Sequence, residues 1–367
     1  MKSIRIDGAF GEGGGQVVRS SLALAALIGR PLEIINIRAG RKNPGLRPQH
    51  LTAVRAVAAI CAAEVQGDEL NSQRLIFRPG SAPAGGDYCF DVRDAARGGS
   101  AGATTLVAQA ILLPLAFAGC ASQVVLRGGT QVPWSPPFHY LRDVFLPAVI
   151  KSGLRAEASL NTWGWYPVGG GEFSLTVQPV RRLTGLEWVE RGELPPVGVT
   201  GVAAVTNLPS HIPQRMADRA ENVLCTAGIA SQVQALRERG PAAGAGIFLV
   251  ADYSNGAAGF SALGRRGRPA DKVAEEACSA LLDHHAATGA VVDTHLTDQL
   301  ILPLALAAGD SILVTSRITQ HTLTNIHVVR QFLETDIRIE QDDADGVPTP
   351  ASRPGGTIVI KGVGYHV

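Results

Sequence analysis

The chain has 367 residues, 46% hydrophobic and 18% charged, which excludes a disordered polypeptide and exceeds what a single core usually serves. A formal net charge of +1 excludes a uniformly basic nucleic-acid coat, though not a local patch. Cys61, Cys89, Cys120, Cys225 and Cys278 form no C-x-x-C pair, and neither the N-terminus nor any apolar run fits a signal peptide or a membrane span, so a cytoplasmic protein with reduced thiols and no membrane is expected.

The first element of interest is "DGAFGEGGGQVVRSSLALAAL", residues 7–27, in which glycines surround Glu12 before an apolar helix pattern. Glycine suits a backbone that takes positive φ or that a ligand must approach, and a helix entered from such a loop aims free N–H groups at an anion. A tight turn that merely reverses the chain uses the same residues. Gly11, Gly13 and Gln16 occupy the three glycine positions of the dinucleotide fingerprint, so that motif is absent. Residues 30–55 follow with Arg30, Arg38, Arg41, Lys42, Arg47 and Arg55 against the single acid Glu33, either a solvated face or an anion site.

Three segments share one grammar: residues 16–40, 103–129 and 298–317 each read as a small-residue, leucine-rich helix, a Gly-containing break and a β-branched strand. After each comes a polar loop, then a second helix and a closing strand pair. The simplest account is an α/β (α+β) fold of three repeated βαβαββ units, forming a main domain from 1–182 and 289–367. Residues 183–288 alternate strand and helix on their own and are expected to be a small inserted α/β domain.

The loop "SRITQHTLTNI", 316–326, sets His321 among Thr319, Thr322, Thr324 and Asn325. A neutral imidazole is a nucleophile when its tautomer is fixed and arginines hold an anionic electrophile nearby. No H-E-x-x-H or paired Cys/His zinc spacing competes, and the adjacent His284 and His285 do not share a helix face.

Taken together, "DGAFGEGGGQVVRSSL", "IRAGRKNPGLRPQHLTAV", "FRPG" with "GGDY", "RGGTQVPWSPP", "DQLILPLALA" and "HTLTNIHVV" resemble the RNA 3'-terminal phosphate cyclases, in collinear order through nearly the whole chain. The resemblance implies three repeats like those of the C-terminal domain of translation initiation factor three and of the enolpyruvyl transferases, with a thioredoxin-like insert. It implies ATP-dependent conversion of an RNA 3'-phosphate to a 2',3'-cyclic phosphate, by way of a covalent histidine–AMP and an RNA(3')pp(5')A intermediate. His321 matches the nucleophile, Glu12 a ligand of Mg²⁺ or Mn²⁺, and Arg19, Arg38, Arg41, Gln49 and His50 positions that bind phosphates or the RNA end. Pro133, Asp298 and Gln299 match the ATP site, as does His295, where the family pattern has a stacking aromatic, typically tyrosine. The partners implied are ATP and RNA with a 3'-phosphate end. An inactive cyclase-like scaffold of ribosome assembly would lack the histidine, and an enolpyruvyl transferase would need six repeats.

Overall fold

A computed structural model describes residues 3–95, 101–287, 289–340 and 353–367; residue 288, the expected end of the insert, lies outside them. The described chain is a mixed α/β protein with four four-stranded sheets.

The first sheet holds β1 (Ile4–Asp7), β2 (Leu32–Ile35), β3 (Glu64–Gln66) and β4 (Leu75–Arg78) in the order β1-β2-β4-β3, with β1 and β2 parallel and β4 antiparallel to its neighbours. Ile4 and Ile6 point inward while Arg5 and Asp7 face water, so one side of the sheet needs a cover. Helices α1 (Gly15–Ile28) and α2 (Pro48–Ile60) supply it. Val17, Val18, Leu22 and Leu24 of α1 are all at most 1% exposed, as expected of a helix apolar around its circumference.

The second sheet has β5 (Asp87–Asp91), β6 (Ser122–Gly128), β7 (Arg155–Thr162) and β8 (Gly171–Gln178) in the order β5-β6-β8-β7. Its helices are α3 (Thr104–Ala116) and a second stretch with α4 (Phe138–Tyr140), a π-helical turn over Leu141–Phe145 and α5 (Leu146–Lys151). Next comes β9 (Glu187–Trp188), a two-residue strand within the span expected to be the insert. It pairs in parallel with Ile312 and Leu313 of β14 (Asp310–Ile318), 125 residues downstream in the register Ile312 to Glu187. The sheet thus joined runs β9-β14-β16-β15, with β15 (Asp336–Glu340) and β16 (Arg353–Lys361), beside α8 (Thr294–Leu306) and α9 (Gln320–Phe332). One hydrophobic cluster joins the interiors of these three sheets and includes Leu183, Leu186 and Trp188.

Between β9 and α8 stand β10 (Val199–Thr206), α6 (His211–Thr226), β11 (Ser231–Glu238), β12 (Gly244–Tyr253), β13 (Gly256–Leu263) and α7 (Ala270–Ala286), with strand order β11-β10-β12-β13. They bury a separate core in which Ile247, Leu249 and Ala251 meet Met216, Leu224 and Leu281 from the two helices. Alternation sends Phe248 to the other face of β12, where it packs with Trp163 and Trp165 from the β7–β8 connection.

Candidate active site

The sequence places Glu12 to Gly15 at the entrance of α1, and the structure gives Gly11, Gly13 and Gly15 a reason. Gly11 and Gly13 have φ of +62° and +58°, in the left-handed region that L side chains avoid. A Cβ on Gly15 would lie 2.3 Å from His50 Nε2, so the start of α1 can approach α2 only without a side chain. Residues at the first turn of α1, α8 and α9 then converge.

His321 belongs to α9, not to a loop as the sequence reading has it. Thr319 caps the helix by accepting the Thr322 N–H at 3.2 Å, which starts the helix at Gln320 and puts His321 in its first turn. His321 Nδ1 lies 3.0 Å from Gln16 Oε1 and 3.4 Å from Glu12 Oε2. Gln16 Nε2 donates to Asp298 Oδ2 at 2.8 Å, which turns its Oε1 toward His321. An amide oxygen can only accept, so Nδ1 carries the proton and Nε2 keeps its lone pair. Burial, followed by Arg19, Arg41 and His295, holds the His321 pKa below the ordinary 6.5, which favours the neutral ring.

Glu12 is fixed from three sides. Its N–H donates to Thr324 Oγ1 at 3.0 Å, and Arg41 both donates to its carbonyl at 2.9 Å and pairs with its Oε1. The other carboxylate oxygen, Oε2, is buried without a hydrogen-bond partner among the described residues. An orphaned carboxylate oxygen is a hard anionic donor that fits a divalent cation completed by phosphate oxygens and water, the phosphates offsetting the neighbouring Arg41. No cluster of three or more His, Cys, Asp or Glu that could hold a metal unaided occurs among the described residues.

Arg19 lies one turn behind Gln16. Burial lowers its pKa to about 10, opposed by the Asp298 carboxylate, so it stays a cation at neutral pH. Burial likewise pushes Asp298 up to about 6, with His295, Gln16 and Arg19 pulling it back. Asn325 donates to the Asp298 carbonyl at 2.8 Å and accepts from Ser20 at 2.7 Å, which locks α9, α8 and α1 together.

His50 is buried and accepts the Arg47 N–H at Nδ1 over 3.1 Å, leaving its Nε2–H aimed at the start of α1. Burial and the charges of Arg38, Arg19 and Arg47 force its pKa well below 6.5, so it is a neutral donor in a cationic setting. Arg38 has φ +53° and donates to the carbonyls of Asn43 at 2.7 Å and Gly45 at 2.9 Å. Gln49 is turned away, accepting the Ala103 N–H at 2.9 Å and so tying α2 to the start of α3.

Of the residues singled out in the sequence, Glu12, Arg19, Arg41, His50, Asp298 and His321 therefore come together. Gln299 faces α3, accepting from Gln109 at 2.6 Å while donating to the His295 carbonyl at 2.7 Å. His295 is exposed at the start of α8, its ring edge-on to Tyr140 with centroids 6.4 Å apart. Pro133 stands in the connection after β6, outside the hydrogen-bonded cluster. The sequence reading missed Gln16 as the partner of His321, and Arg47 as the residue that orients His50. An open cavity lies beneath, with Gln16, Arg19, Gln109, Gln299 and Asn325 at its polar wall and leucines at its floor.

Residues 10–339 match the family model described as RNA 3'-terminal phosphate cyclase. The RNA 3'-terminal phosphate cyclase of Nostoc punctiforme is 53% identical over 340 residues, covering 93% of this chain and 97% of that one. That of Methylococcus capsulatus is 53% identical over 344 residues, with 93% and 94% covered. The archaeal one of Pyrobaculum neutrophilum is 40% identical over 365 residues, with 99% of both chains covered.

Proposed function

The chain belongs to the RNA 3'-terminal phosphate cyclase family, and from that membership we propose that His321 carries the reaction as a covalent adenylyl carrier. Its relatives' name points to cyclisation of an RNA 3'-terminal phosphate, and in this reading ATP supplies the activation. The single observation behind the covalent reading is the bond from His321 Nδ1 to Gln16 Oε1, which leaves Nε2 unprotonated on a ring that also feels the charges of Arg19 and Arg41.

In the first step, Nε2 attacks the α-phosphorus of ATP, a P–N bond forms, and the bond to the β-phosphate breaks to release pyrophosphate. The free N–H groups at the start of α1, the His50 Nε2–H and Arg19 hold the triphosphate oxygens, and stabilise the charge that builds on them. Gln16 accepts from the imidazolium as positive charge develops on the ring. Next, an oxygen of the RNA 3'-phosphate attacks the same phosphorus and the P–N bond breaks, giving RNA(3')pp(5')A and restoring the neutral imidazole. The 2'-OH then attacks the activated 3'-phosphorus, its proton passing to solvent, and AMP leaves. Adenylylation supplies the leaving group that a bare phosphate monoester lacks.

Glu12 would hold Mg²⁺ or Mn²⁺ through its orphaned oxygen; that ion would neutralise phosphate charge. Arg38 and Arg47 serve the RNA phosphate, since they belong to the basic stretch of residues 30–55 and are not paired with Glu12, while Arg41 of the same stretch sits against Glu12 in the nucleotide half. Pro133 and His295 take the two faces of adenine, with Asp298 and Gln299 beneath. We also read the three sheets that share a core as copies of one unit, because β1-β2-β4-β3, β5-β6-β8-β7 and β9-β14-β16-β15 follow one positional order. The remaining α/β unit, thioredoxin-like in this reading, is then inserted after β9. Incubating a 3'-phosphorylated oligoribonucleotide with ATP tests the function: a 2',3'-cyclic end with one AMP and one pyrophosphate per end is expected. A cyclic end formed without ATP consumption would refute it.

A further inference from the structure

The connection after β6 ends in Thr130-Gln131-Val132-Pro133-Trp134-Ser135-Pro136, and it is firmly held. Phe138 N–H donates to Thr130 O at 2.9 Å, the Thr130 and Gln131 N–H groups both donate to Gly164 O at 2.9 Å, and Thr105 Oγ1 donates to Pro136 O at 2.7 Å. In this anchored turn Trp134 is 97% exposed and has φ +59°. The residue after proline in a turn of positive φ is ordinarily glycine or asparagine. Here it is the bulkiest side chain, in a backbone conformation that disfavours it, and its indole gains nothing from burial. Trp163, Trp165 and Trp188 are 7%, 3% and 7% exposed, so exposure is particular to this one of the four tryptophans. Strain and an unburied aromatic at one position indicate a ligand rather than a fold requirement.

Hydrogen bonds place that turn beside the site. Thr105, which holds Pro136, lies one turn of α3 from Gln109, which holds Gln299 of α8. At the start of the same helix, Ala103 N–H is held by Gln49, next in sequence to His50. The turn is therefore tied, by way of α3, to both the α8 and the α2 sides of the cluster. A second exposed ring, Tyr166, at 58%, hangs on a backbone N–H that donates to Gln131 O at 3.4 Å.

We propose that Trp134 is a stacking platform for a nucleobase of the RNA close to its 3' end, with Tyr166 positioned for a neighbouring base. This rests on the reading of RNA as substrate. The adenine of ATP is not the occupant, because in that reading Pro133 and His295 already cover both of its faces. Single-stranded RNA suits an exposed ring, since every base offers a π face whatever its sequence.

Because Trp134 is the one exposed tryptophan, its emission reports directly on occupancy. A short oligoadenylate with a 3'-phosphate, added without ATP, should quench the acrylamide-accessible fluorescence, whereas ATP alone should not. Trp134→Ala should weaken binding of that RNA roughly tenfold, and Trp134→Phe should restore most of it. Trp134→Gly should lose RNA affinity in the same way while its Tm stays level or rises, since glycine accepts the left-handed backbone. Unchanged RNA affinity in the alanine variant, no quenching by RNA, or full quenching by ATP alone would each overturn the proposal. Retention of label from α-labelled ATP on the wild-type protein, measured in parallel, reports separately on the catalytic reading.

Discussion

Replacing Gln16 with methionine keeps the side chain's length and removes both of its hydrogen bonds, so it tests how the nucleophile is poised. The bond from His321 Nδ1 to Gln16 Oε1, 3.0 Å in the ground state, strengthens as the ring becomes cationic in the transition state. Hydrogen bonds to charged groups contribute about 1.5–3 kcal/mol, so a rate loss of roughly 10- to 150-fold is the expected range. Glu12 Oε2, only 3.4 Å from the same nitrogen, can take part of the load, and the lower end, about tenfold, is expected. The assay is single-turnover self-adenylylation with saturating α-labelled ATP from pH 5 to 8. In the wild type the rate should rise with pH through a midpoint below 6.5, because protonated imidazole cannot attack and the pocket depresses the His321 pKa. The same substitution strips Asp298 of its Gln16 donor, one of the interactions that hold its pKa down to about 6. That folded-state value lies above the unfolded one, so the native state binds more protons between them and this group's contribution to stability falls as pH rises through the window. Gln16→Met pushes Asp298 higher still and should therefore lower Tm more at pH 8 than at pH 5. An adenylylation rate within twofold of wild type at every pH would refute the role given to Gln16.

Three other outcomes follow from the same geometry. Arg41→Lys should slow self-adenylylation and cyclisation together, because the guanidinium holds both the Glu12 carbonyl and its carboxylate, whereas Arg38→Lys should impair cyclisation more than adenylylation. Label transfer to protein and to RNA, measured separately, distinguishes them, and equal losses in both variants would place Arg38 in the shared phosphate site. Gly15→Ala should cost stability and ATP affinity at once, since its Cβ would lie 2.3 Å from His50 Nε2 and 3.1 Å from Arg19; a Tm and an ATP Kd both like wild type would count against this packing. His295→Tyr should tighten ATP binding by about 0.5–1.5 kcal/mol if this position stacks on adenine, and calorimetry on the His321→Ala background would show no change if it does not.

The glycine loop, the basic stretch and the His321 segment are readable in the sequence because each concentrates its chemistry within a few residues. The helix start at His321 was obscured by a polar, threonine-rich run that looks like a loop; Thr319 as a cap is what makes it helical. Gln16 escaped notice because its two partners lie 282 and 305 residues away, and no local pattern marks a buried amide as an orienting group. Strand β9 has only two residues, too few for alternation to register, and is defined by the parallel register it finds against β14. The segment between β9 and α8 has a separate core because a helix and sheet pair needs its own apolar interior.

The covalent step itself is tested most directly by incubating wild type and His321→Ala with ATP labelled at the α-phosphate, denaturing both, and mapping any retained label by peptide mass. The expected result is one AMP on His321, lost in acid and stable in alkali as a phosphoramidate is, with no label on the alanine variant. Label absent from the wild type, present on the variant, or attached through an alkali-labile bond would contradict the assignment of His321 as the adenylyl carrier.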